Sequence, residues 1–88
     1  MNTKSKIEKI LKQELTIQSL EVIDDSHLHA GHSQAKGGGH FTVLITSDDF
    51  KGKSPLERHR LIYKTLHKEL QSEIHALSIQ AFTADEKA

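Results

Sequence analysis

The feature that most limits what this chain can become is a helix start, Ser54-Pro55-Leu56-Glu57, set between two stretches of alternating apolar residues. Serine at the cap, proline at the first helical position and glutamate three residues after the serine are separate requirements of one helix start, and here they coincide. Leu56, Ile62, Tyr63, Leu66 and Leu70 follow at spacings of three, four or their sums, which predicts a helix of about four turns running to Leu70. Upstream, Phe41, Val43 and Ile45 alternate with Thr42, Leu44 and Thr46; downstream, Leu77, Ile79 and Ala81 alternate in the same way. Both read as strands. A strand, a crossover helix and a second strand admit a parallel pair within one sheet.

The rest of the chain adds one helix and one strand. Ile7, Ile10, Leu11 and Leu15 recur at helical spacing, and Ser5 with Glu8 three residues on predicts a capping box at that helix's start. Ser19 to Ile23 reads as a first strand, closed by Asp24, Asp25 and Ser26 and pairing antiparallel with the second. From residue 24 to residue 39 the composition turns to His, Ser, Ala and Gly, a flexible loop ending in Gly37, Gly38 and Gly39. The order helix, strand, strand, helix, strand predicts an α+β sandwich: a three-stranded mixed sheet covered on one face by helices, its other face open to partners. Strand order does not follow from this. With 88 residues there is room for one domain over 1–88, with 84–88 as a tail and little volume for a deep private active site.

Twelve Lys plus Arg balance twelve Asp plus Glu, so no global charge draws the chain to nucleic acid or an anionic membrane. The unusual figure is seven His beside no Cys: imidazole is abundant, whereas disulfides and thiolate ligands are excluded. Residues 1–15 carry Glu8 and Glu14 and no apolar run, unlike a secretory signal or a transit peptide. No stretch approaches a membrane span. The expectation is a cytoplasmic, reducing compartment.

Three segments carry a family resemblance: LEVIDDSHLHAGH at 20–32, HFTVLITSDDFKGKSPLERHRLIYKTL at 40–66 and IHALSIQAFT at 74–83. Together they resemble the BolA family, in its histidine type, over almost the whole chain. The resemblance implies a type II KH-like fold, in agreement with the element order above. It also implies pairing with a monothiol glutaredoxin, with or without a bridged 2Fe-2S cluster, and in some members DNA-binding transcriptional regulation.

A cluster of that kind takes four ligands, usually thiolates, with imidazole able to replace two on one iron. A chain without Cys can contribute imidazoles only, so a partner must supply the thiolates, which the resemblance implies are a glutaredoxin cysteine and the glutathione thiol, and the chain alone should hold no cluster. The resemblance points to His75, in the H-A-L stretch, as one ligand, and to the segment between the first two strands for the other, where members carry Cys or His. His27, His29, His32 and His40 are there. His40, beside Phe41 at a strand entrance, ranks first because it is more rigidly placed; His32 ranks second and His29 after it. The spacing H-x-H-x-x-H over 27–32 also suits a lone Zn, Cu or Ni ion. His59, between Arg58 and Arg60, and His67 read as helix positions outside the ligand set.

The alternative function is nucleic-acid binding. Arg60, Lys64 and Lys68 recur every four residues on the second helix, with Arg58 beside them and Lys51 and Lys53 before its start. Glu57 and Glu69 interrupt this patch, and no GxxG clamp joins two helices. Exposed aromatic platforms for base stacking are also scarce. No nucleophile motif, P-loop or dinucleotide fingerprint points to an enzyme or a small-molecule substrate.

Overall fold

The computed structural model describes residues 2–25 and 39–87. Helix α1 spans Thr3–Glu14, strand β1 Ile17–Asp24, strand β2 Gly39–Ser47, helix α2 Pro55–Thr65, helix α3 His67–Ser72, strand β3 Ile74–Phe82 and helix α4 Ala84–Lys87. The sheet order is β1-β2-β3. Antiparallel β1 and parallel β3 flank the central β2, so the sheet is mixed, as the crossover helix allows.

The strands bury alternate residues. Val22, Phe41, Val43 and Ile45 pack with Ile7 and Leu11 of α1 and with Ile62 and Leu66 of α2, which places the helices and the core on one face of the sheet. A single turn of tight helix, Asp48–Phe50, follows β2 and drives Phe50 fully into this core. Gly52, at φ 76°, then takes the left-handed conformation that turns the chain toward α2.

The start of α2 matches its sequence signal. Ser54 Oγ accepts from the Glu57 N–H at 3.2 Å and the Ser54 N–H donates to Glu57 Oε1 at 2.7 Å. These bonds, the one from the Ser54 backbone first, hold the Glu57 carboxyl below the usual carboxylate range.

Several expectations are corrected. The cap of α1 is Asn2, whose side chain accepts from the Ser5 N–H at 2.8 Å, so the helix begins before the Ser5/Glu8 box could act. The four-turn helix divides at Leu66, whose backbone leaves helical values at φ −101°, ψ 20°, and α3 continues to Ser72. Thr65 Oγ1 donates to the Leu61 carbonyl at 2.8 Å, a back-bond that bends helices. Leu56 and Tyr63, periodic with the core residues, stand 58% and 42% exposed. The first strand is longer than Ser19–Ile23, the third begins before Leu77, and residues 84–87 form a helical turn rather than a plain tail. Most of the 24–39 loop lies outside the described residues.

Candidate metal-binding site

The entrance to the β2/β3 pair is irregular, and that irregularity places two histidines together. From Phe41 to Thr46 the parallel register is constant, Phe41 against Leu77 and Thr46 against Phe82, but Gly39 pairs with Ile74 and His40 with Ala76. His75 is therefore an extra residue in β3, a bulge. Strict alternation back from Leu77 would aim His75 at the core and Ile74 away from it. The bulge reverses both: Ile74 is 3% exposed within the core, and His75 is exposed. His40 alternates with core-facing Phe41 and is half-buried. The two rings stand with centroids 5.2 Å apart and planes tilted by 50°.

The backbone around the pair is held from both sides. The His40 carbonyl accepts from the Asp25 N–H at 2.7 Å, and the Gly39 N–H donates to the Glu73 carbonyl at 3.0 Å. Thr42 Oγ1 donates to Asp25 Oδ2 at 2.6 Å, tying the end of β1 to β2. The Glu73 carboxylate accepts from Lys6 Nζ at 2.8 Å and from Thr3 Oγ1 at 3.1 Å. The Lys6 bond above all holds the Glu73 carboxyl below its ordinary value.

The separation of the two rings lies within the reach of one shared metal ion. An ion about 2.1 Å from a nitrogen of each ring lies roughly 3.2 Å from each ring centre, so two rings on it stand at most about 6.4 Å apart. The observed 5.2 Å is inside that bound. Two imidazoles are only half of a tetrahedral shell, and no group of three or more His, Cys, Asp or Glu gathers among the described residues. Any further ligands must come from the segment 26–38 or from another molecule. His27, His29 and His32, and with them the H-x-H-x-x-H motif, lie outside the described residues.

The remaining histidines sit elsewhere. His67 is exposed on α3, and half-buried His59 lines a groove of about 550 Å³ with Pro55, Ala81 and Phe82. Of the basic residues, Lys51, Lys53, Arg60, Lys64 and Lys68 are exposed. Lys68 stands on α3, beyond the break that interrupts the Arg60–Lys64 stripe. Lys64 and Lys68 also share a groove with Glu14 and Glu69, so this face carries both signs.

Arg58 does not belong to the patch. It is 9% exposed, and its guanidinium grips Glu86 through two bonds of 2.6 and 2.9 Å. Nε donates to the Lys53 carbonyl and Nη1 also to the Ala81 carbonyl, each at 3.0 Å. It lies over the Phe50 ring at 5.9 Å. Sequence reasoning missed this role, because Arg58 and Glu86, which stands three residues beyond the 74–83 segment, are brought together only by folding.

A family model described as BolA-like protein matches residues 11–86. SufE-like protein 1, chloroplastic/mitochondrial, of Arabidopsis thaliana is 47% identical over 87 residues, covering 92% of this chain and 24% of that protein. The chain thus spans about a quarter of that relative. The DNA-binding transcriptional regulator BolA of Escherichia coli (strain K12) is 38% identical over 86 residues, covering 98% of this chain and 80% of that protein. The fold superposes on the BolA domain of SufE1 from Arabidopsis thaliana with a TM-score of 0.85, at 46% identity and with 98% of each chain covered. Sequence model, relatives and three-dimensional likeness agree, and the chain belongs to the BolA-like protein family.

Proposed function

We propose that this chain is a partner of a monothiol glutaredoxin and helps coordinate a shared 2Fe-2S cluster, with His75 and His40 as its ligands. Its use would be cluster assembly, trafficking or iron sensing. The observation that carries the reading is the His40–His75 ring pair at 5.2 Å in a chain with no Cys. Imidazole can serve two positions on one iron of such a cluster, and the partner cysteine and glutathione would supply the thiolates. Glutaredoxin pairing itself comes from the family resemblance. His32 and His29 remain the substitutes for His40, in the segment outside the described residues.

The test is co-purification with a monothiol glutaredoxin and glutathione, followed by visible circular dichroism. The chain alone should be colourless, the complex should show cluster bands, and His75→Ala and His40→Ala should each alter them. Unchanged bands in both variants would remove the ligand assignment. Because imidazole binds metal only when neutral, bands that depend on these residues should fade on acidification to about pH 5.

A second reading, DNA binding, is favoured by the name of the Escherichia coli relative, a DNA-binding transcriptional regulator. It would use Lys51, Lys53, Arg60, Lys64 and Lys68, without Arg58.

A further inference from the structure

Glu73 is a junction between α1, α3, β2 and β3. Its carboxylate is held by Lys6 and Thr3 in the first turns of α1. Its N–H donates to the Glu69 carbonyl of α3 at 2.7 Å, and its own carbonyl accepts the N–H of Gly39, the residue before His40. Two residues later comes His75. One residue therefore touches the backbone leading into each imidazole.

A bulge leaves its extra residue unpaired in the ladder, and strand ends open more readily than strand centres. The direction of His75 then depends on what fixes the chain just before it. Ile74 is anchored in the core on one side, and the carboxylate of Glu73 is tethered to α1 on the other. The Lys6–Glu73 pair is 41% and 29% exposed at its side chains, so screening leaves it a small share of global stability. That separates local placement from general support of the fold.

We propose that Glu73 is a positioning residue for the His40–His75 pair, acting through the Gly39 amide and the bulge, with Lys6 and Thr3 of α1 holding its carboxylate in place. The purpose of that placement rests on the metal-binding reading above; the placement itself does not. The N-terminal turns of α1 are by this route coupled to the site, although they contribute no ligand.

The experiment records cross-relaxation between the ring protons of His40 and His75 in the isolated, isotope-labelled full chain, together with thermal melting. Wild type should show the ring-to-ring cross-peak. Glu73→Ala and Lys6→Met should weaken it by about threefold, the effect of roughly 1 Å of misplacement and beyond the tolerance of a preorganised site. Lys6→Arg should retain it. Leu20→Ala, a partly buried change on β1 away from the pair, supplies a control that lowers the melting temperature without moving the rings. An unchanged cross-peak in Glu73→Ala and Lys6→Met, or an equal loss in the Leu20→Ala control, would overturn the proposal. Visible dichroism of the glutaredoxin complex distinguishes the two failures. If His75→Ala and His40→Ala leave the bands unaltered while Glu73→Ala weakens the cross-peak, the cluster reading falls and the positioning role stands.

Discussion

Arg58 shows how far one side chain can depart from its apparent class. In the sequence it is one of several cations around the second helix; in the fold its guanidinium closes the sandwich, joining α2 to the end of β3 and to Glu86. A planar fork with five donors suits that task in a way a lysine does not. Arg58→Met should therefore lower unfolding stability by about 2 kcal/mol, from charged hydrogen bonds lost and carbonyls left unpaired, as measured by urea titration. Any duplex affinity should be unaffected by it when compared under conditions where the variant is folded. Nothing in spacing distinguishes Arg58 from Arg60, because their environments differ through Glu86, which lies 28 residues away in sequence from Arg58. Leu56 and Tyr63 teach the converse. Their periodicity fits a buried stripe, yet the helix end and its outer margin leave them exposed.

At the scale of elements, local signals were legible where they were self-contained. The Ser54–Glu57 box needs only four neighbouring residues, and the structure contains both of its bonds. The bend at Leu66 and the bulge at His75 were not legible, since each depends on how a segment meets its neighbours. Period-two reading from Leu77 to Ala81 would have turned His75 inward, so its candidacy came from resemblance alone. The short helix α4 is not legible in the sequence, because four residues carry no periodicity. It is closed by Thr83, whose Oγ1 accepts from the Glu86 N–H at 3.3 Å, and by the Glu86 carboxylate, which accepts from the Thr83 N–H at 2.9 Å.

Arg58 first, then the Thr83 amide, lower the Glu86 carboxyl from 4.5 to about 2. A carboxyl depressed in the folded state contributes stability above its unfolded value, and that contribution is lost as pH falls toward the folded one. Glu86→Gln should thus be less stable than wild type at neutral pH, and the two stability curves should converge between pH 4.5 and about 2. Parallel curves across that window in acid denaturation would show that the Arg58 contact does not govern the titration of Glu86.

For the whole molecule, element order and sheet type follow from the strand–helix–strand succession, whereas strand order does not, since it depends on which strand edges meet. Placing β2 at the centre gives it a partner on each side and brings its entrance against the start of β3. The overall charge is also a whole-molecule property. With Lys and Arg matched by Asp and Glu, duplex binding must come from a local patch, for which Lys51, Lys53, Arg60, Lys64 and Lys68 are the exposed candidates on and beside α2 and α3. Titration at two salt concentrations should then give a log–log slope of about −0.9 for each phosphate neutralised, and Arg60→Glu with Lys64→Glu should flatten it. Affinity independent of salt and of those charges would exclude this face. Among the described residues no helix is long and apolar enough to cross a membrane.

The supernumerary residue in β3 has a consequence for how such a surface can change. Because it releases position 75 from the packing register, the hydrophobic interior is completed by Ile74 and Leu77 whatever side chain stands between them and the solvent. Side-chain identity and folding are thereby uncoupled at this edge: another side chain could be exchanged into position 75 with the interior undisturbed, whereas removing one residue from the turn before β3 would swing that position into the interior.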